Sequence, residues 1–162
     1  MRMAVVTGGA QGIGRACVVR FLGEGWRVVV LDRDAEAVAD LKREIGGEAL
    51  LALEADCGSE ADVADAFATI ARWSDGAAID LLFNNAGIAD PDTGPVESLS
   101  LDAFRRHLDS GLVAAFLATR AAVPALRRAR GAIVNMASTR ALQSEANSEA
   151  YAATNGGILA MT

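Results

Sequence analysis

Thr7-Gly8-Gly9-Ala10-Gln11-Gly12-Ile13-Gly14 follows a short apolar run, Met3 to Val6, and opens a helical pattern from Gly12 to Glu24. Its key glycines, 8, 12 and 14, have the spacing G-x-x-x-G-x-G rather than G-x-G-x-x-G. Glycine reaches positive φ and lets other groups approach the backbone, so this loop can turn tightly out of a strand. It then presents free N–H groups and the positive end of a helix dipole, which together receive a phosphate. A glycine-rich turn also serves merely to start a helix. The surrounding sequence decides between the two.

Outward from the loop, a second apolar run, Arg27 to Leu31, ends at Asp32, eighteen positions beyond Gly14. An acid near that distance accepts hydrogen bonds from an adenosine ribose and repels a 2′-phosphate, which favours NAD over NADP. Arg33 comes next and would soften that preference. The other reading of Asp32 is a cap for the turn before the following helix.

The same alternation continues to the end of the chain. Strands are expected at Met3 to Val6, Arg27 to Leu31, Ala49 to Leu53, Ile79 to Phe83 and Ala132 to Met136. Each is short and aliphatic, as a strand covered on both faces should be. Helices are expected at Gly12 to Glu24, Ala35 to Ile45, Glu60 to Trp73, Leu101 to Arg128, and from about Ser148 onward. Ser59 and Ser100 read as N-caps, and Gly46-Gly47 as the end of the second helix. Right-handed crossovers then give a doubly wound parallel sheet in the order 3-2-1-4-5, an α/β Rossmann fold of three αβα layers in a single domain over 1–162. Its crevice lies where the order reverses, so the loops after strands one, four and five converge there.

Composition narrows the functions. The chain has 162 residues, 52% hydrophobic and 22% charged, with a formal net charge of -6. No basic field is available for nucleic acid; Arg127, Arg128 and Arg130 sit at a helix end, where the dipole favours cations. Cys17, Cys57 and the single His107 have no metal-ligand spacing, so no metal is expected and the thiols read as structural. No signal peptide and no apolar run of membrane-spanning length is read in the sequence, which points to a cytoplasmic protein without a membrane partner.

Three further segments complete a pattern: Asn84-Asn85-Ala86-Gly87 after strand four, Ala137-Ser138 after strand five, and Tyr151 thirteen residues on. Together with the Thr7 to Gly14 loop they resemble the short-chain dehydrogenase/reductase family over essentially the whole chain. The resemblance implies an NAD-dependent oxidoreductase moving a hydride between nicotinamide and a secondary alcohol or ketone. It implies cofactor contacts from Gly8, Gln11, Gly12, Ile13 and Gly14, from Asp32 and Arg33, and from Asp56 and Cys57 at the adenine. Asn84, Asn85, Ala86 and Gly87 would line the cleft and brace the sheet. Ser138 would donate to the substrate oxygen and Tyr151 would act as general acid and base, chemistry that hydride transfer to a carbonyl requires in any case. Outside that pattern, Ser138 reads as a strand-end cap and Tyr151 as a surface contact. The resemblance also implies a homo-oligomer, dimer or tetramer, paired through the helices after strands four and five, with Leu112 to Ala118 as part of the face.

The chain departs from the family pattern in three places. Asn155 stands where a lysine is expected, and an amide cannot acidify a phenol whose ordinary pKa is about 10. Gly111 stands where a catalytic asparagine is expected, and supplies no side chain to hold a relay water. The last residues, Met161-Thr162, fall within a helix, with the family's later strands and substrate loop missing and strand five left as an apolar edge. Two functions fit: a slow dehydrogenase using Ser138 and Tyr151, or a non-catalytic NAD-binding protein or partner subunit. A third, a methyltransferase-like Rossmann protein, would need neither the Asn84 to Gly87 segment nor the Ser138 to Tyr151 spacing. The polar stretch Thr139 to Glu145 would either face a polar substrate or solvate a loop.

Overall fold

The computed structural model describes residues 1–143 and 145–162. Five parallel strands, β1 (Met3–Thr7), β2 (Arg27–Asp32), β3 (Leu50–Glu54), β4 (Leu81–Asn84) and β5 (Ala132–Asn135), lie in the order β3-β2-β1-β4-β5. This is the doubly wound order expected from the alternation of runs. Val5 pairs with Val29 on one side and Leu82 on the other, which sets the register at the centre. The β4 strand starts two residues later than the apolar run suggested, because Asp80 turns its carboxylate to accept the Met3 N–H at 2.8 Å.

Alternate residues of each strand serve opposite faces. Val6, Val28, Val30 and Phe83 pack with Val18 of α1 (Gly12–Gly23) and Val38 and Leu41 of α2 (Ala35–Ile45). Val5, Val29, Leu31 and Leu82 pack with Ile70 of α3 (Glu60–Trp73) and with Ala118 and Leu126 of α5 (Ala114–Ala129). These two cores, one on each side of the sheet, make the three layers. Asp34, Ser59 and Ser100 accept hydrogen bonds from Ala37, Asp62 and Ala103 N–H and so cap α2, α3 and α4 (Leu101–Leu108). Gly46 follows α2 as expected, but at φ -59°, so the helix ends without a left-handed residue.

The fourth helix is not continuous. Between α4 and α5, Asp109–Val113 forms a π-helical turn, the extra residue falling around Gly111. The stretch Leu101–Ala129 as a whole is long and apolar enough by composition to cross a bilayer, which corrects the expectation that no such run exists. It is a core helix: Ala114, Ala115, Leu117, Ala118, Ala122 and Leu126 are buried in the domain. That packing also consumes most of Leu112 to Ala118, leaving Phe116 as its one exposed residue. At the C-terminal end of α5, Arg128 donates to the Pro124 and Gly76 carbonyls, the expected use of a cation there. Among the described strands β5 is an edge, with Ile133 and Val134 exposed.

Candidate active site

The loop after β1 is held by the loop after β4. Thr7 Oγ1, itself buried, accepts the N–H groups of Asn85 at 3.0 Å and Ala86 at 3.1 Å. Asn85 Nδ2 returns hydrogen bonds to the Thr7 and Gly8 carbonyls at 3.2 and 2.9 Å. Because β1 and β4 are neighbours at the reversal of strand order, this clamp sits at the crevice. Gly8 and Gly12 have φ of +62° and +53°, conformations that side chains resist. A Cβ at Gly14 would overlap the Gly8 carbonyl oxygen and lie 2.7 Å from Asn85 Nδ2, so this glycine serves loop-to-helix packing.

A cavity of about 630 Å³ opens above this clamp. Its walls include Gly8, Gln11, Gly12 and Ile13 after β1, Asp32 and Arg33 after β2, and Asp56 and Cys57 after β3. The opposite walls are Asn85, Ala86 and Gly87 after β4, Gly111 on the π turn, and Tyr151 and Asn155 on α6 (Glu149–Met161). Thus fourteen positions singled out in the sequence come together.

Four sequence-derived positions need correction or refinement. Asn84 points away from the cavity and donates to Thr119 Oγ1 at 3.0 Å and Asn135 Oδ1 at 2.8 Å, bracing β4 against α5 and β5. Gly14 lies beneath the cavity rather than on its wall, for the packing reason just given. Ser138 also lies off the wall, although Met136 and Ala137 are on it. Its Oγ accepts the Arg140 N–H at 3.3 Å, capping a 3-10 turn at Thr139–Ala141, and its own O–H donates to no described residue. Gly111, finally, is no vacancy: a Cβ there would come within 2.5 Å of Thr154 Cγ2, so an α6 methyl group occupies the space of the expected asparagine.

Two positions have definite electrostatic or hydrogen-bonding partners. Asp32 Oδ2 accepts the Ala10 N–H at 3.0 Å and Oδ1 the Asp34 N–H at 3.2 Å, so it does cap its turn while facing the cavity. Asn155 is buried and donates Nδ2 to the Tyr151 carbonyl at 2.9 Å, leaving Oδ1 for the cavity. At the β3 end, burial first and the Asp56, Asp32 and Asp62 carboxylates second push the Cys57 thiol up to about 12. That corner therefore carries a negative field. The stretch Thr139 to Glu145 contributes nothing described to the cavity wall; Arg140 pairs with Glu145 and Leu142 is exposed, while Ser144 lies outside the described residues.

Sequence reading overlooked His107, Ser110 and Thr154, which also line the cavity. His107, Ser110 and Gly111 are spaced three and four apart on one helical face, a signal available beforehand. Burial lowers the His107 pKa below its ordinary 6.5; Arg106 adds to that effect and Asp90 opposes it.

The cavity suits a dinucleotide. The α1 N-cap residue, Gln11, makes no side-chain cap, and its first turn carries no acid. Its N–H groups are left to an incoming anion. Nothing lies within 4 Å of a Cβ position at Gly12, so the backbone there is open to close approach.

Comparison with known proteins agrees with this geometry. Residues 2–162 match the family profile described as short chain dehydrogenase. The chain is 35% identical to 2-dehydro-3-deoxy-L-rhamnonate dehydrogenase (NAD(+)) of Sphingomonas sp. (strain SKA58), covering 99% of this chain and 63% of that protein. It is 37% identical to momilactone A synthase of Oryza sativa subsp. japonica, covering 99% and 58% respectively. Among solved structures, 3-ketoacyl-(acyl-carrier-protein) reductase from Brucella melitensis complexed with NADH superposes with a TM-score of 0.90 at 31% identity, covering 99% of this chain and 67% of that one. The chain spans about three-fifths of the length of these curated relatives.

Proposed function

The chain belongs to the short chain dehydrogenase family, and from that premise we propose that it is an NAD-dependent oxidoreductase acting on a secondary alcohol or ketone. The observation that carries this reading is the uncapped start of α1 opening into the same cavity as Tyr151. When bound, a nicotinamide dinucleotide supplies the hydride or takes it up. The α1 N–H groups and the Gly8 to Gly14 loop hold the pyrophosphate. Asp32 takes the adenosine ribose, Asp56 and Cys57 flank the adenine, and Asn85 to Gly87 line the floor.

Preference for NAD over NADP rests on the acids at the adenine end, since Asp32 and Asp56 would face a 2′-phosphate directly. The Sphingomonas relative carries NAD(+) in its name. Other family structures are described with NADP+, as in a serine dehydrogenase 28% identical to this chain, so the acid at 32 is the feature to test.

On the chemical side, Ser138, beside Met136 and Ala137 of the wall, donates its O–H to the substrate oxygen. Tyr151 gives that oxygen a proton during reduction and removes it during oxidation. Asn155 Oδ1 holds the nicotinamide ribose. The test is calorimetric titration with NADH, followed by a panel of secondary alcohols monitored by nicotinamide absorbance. We expect saturable binding and turnover, with Tyr151→Phe binding normally but losing about 10²- to 10⁴-fold in rate. Binding without turnover on any substrate would assign a non-catalytic NAD-binding protein, and absence of binding would overturn the reading.

A further inference from the structure

Tyr151 must exchange its proton with solvent after each turnover, and Asn155 and Gly111 offer no group that titrates. Among the described residues, the titratable groups on the cavity wall are Asp32, Arg33, Asp34, Asp56, Cys57, His107 and Tyr151. The first five follow β2 and β3, across β1 from the catalytic side. His107 alone lies between β4 and β5, in the last turn of α4, which packs against α6 where Tyr151 sits in the opening turn.

His107 is also placed to exchange protons. It is the only histidine in the chain and is only 6% exposed. Its ring makes no hydrogen bond to a described residue, yet neither ring nitrogen is among the enclosed atoms left without a partner. The residue lies on the wall of the cavity, the accessible space beside it. A core histidine held for packing alone would ordinarily find a partner for a buried N–H.

We propose that His107 is the relay residue that exchanges the Tyr151 proton with solvent, in the role that Asn155 and Gly111 leave unfilled. This rests on the reading of Tyr151 as general acid and base. In reduction, the Tyr151 hydroxyl proton passes to the substrate oxygen. The resulting phenolate takes a proton from protonated His107, across a cavity water, and the neutral imidazole is reprotonated from bulk. Oxidation runs the same transfers in reverse, with neutral His107 accepting. The charged groups acting on the ring are Arg106 on its own helix and Asp90 on the loop after β4; Tyr151 of α6 shares the cavity wall, and Glu149, also on α6, is exposed. Alcohol oxidation should therefore rise with pH through a limb below about 6.5, and ketone reduction should fall through the same limb.

Two measurements decide it. The first compares pH profiles of wild type and His107→Gln: the limb should vanish, and kcat should fall about 10- to 100-fold with KM unchanged. Retention of both limb and rate would overturn the proposal. The second needs no turnover: the single imidazole is followed by NMR in wild type, Tyr151→Phe and the NADH complex. The proposal requires its titration midpoint to move in both of the last two, and an unmoved midpoint overturns it. A chain that neither binds NADH nor turns over would instead refute the functional reading, which the ring titration in Tyr151→Phe distinguishes.

Discussion

The nucleotide side of the cavity, built by the loops after β1 to β3, is fixed by backbone. Gly8, Gly12 and Gly14 are held by positive φ or by atoms that leave no room for a Cβ, and Asn85 clamps two carbonyls of the loop. The proposed catalytic side, built by the π turn and α6 with Ser138 off the wall, is fixed by side chains that contact their own surroundings. Thr154 fills the space at Gly111, Asn155 bonds its own helix, and Ser138 caps a turn. The contrast explains how departures from the family pattern collect on one side: a side chain at 111 or 155 can change without moving the sheet, whereas a side chain at 14 cannot be added.

Substitutions on the two sides should therefore fail differently. The largest effect belongs to Tyr151→Phe, which should remove turnover while leaving NADH affinity within about twofold, since the phenol hydroxyl is asked only for proton transfer. Gly14→Ala should do the converse, losing binding through the fold. Overlap with the Gly8 carbonyl should cost about 3 kcal/mol in denaturant unfolding, the upper end for overpacking. Equal loss of binding in both variants would erase the distinction.

Gly111→Asn sharpens it further. The added Cβ meets the Thr154 methyl, so the variant should lose about 1–2 kcal/mol rather than gain activity. Adding Thr154→Ser, which removes that methyl but keeps the hydroxyl that donates to the Ala150 carbonyl, should recover most of the loss. If Gly111→Asn is neutral alone, the α6 packing is looser than described.

The smallest effect is on pH dependence of stability. The folded-state pKa of His107 lies below its unfolded value, so the unfolded chain binds a proton more readily. The contribution is fully present above about pH 6.5 and is lost as pH falls through the folded value. Thermal unfolding should show a lower midpoint at pH 5 than at pH 7, with the difference reduced in His107→Gln.

The fold was legible because strands covered on both faces are written as runs such as Arg27 to Leu31, and two of the helices between them carry caps at Ser59 and Ser100. The nucleotide side was legible for a related reason: glycine spacing records a backbone geometry that admits few alternatives. The π turn left no periodic signal, since one extra residue around Gly111 barely disturbs an apolar pattern that continues through Leu126. His107 was weighed only as a metal ligand, and its role depends on α4 packing against α6, a contact between segments about forty residues apart. Ser138 and Asn84 were placed in the right loops, but the direction of a side chain depends on partners such as Arg140 and Thr119 that spacing does not reveal.

The most direct test is calorimetric titration of wild type and Tyr151→Phe with NADH and then NADPH. An intact nucleotide side predicts one saturable site in both proteins, with NADH bound at least about tenfold more tightly, equivalent to about 1.4 kcal/mol. Absence of saturable binding in wild type, or tighter binding of NADPH, would contradict it.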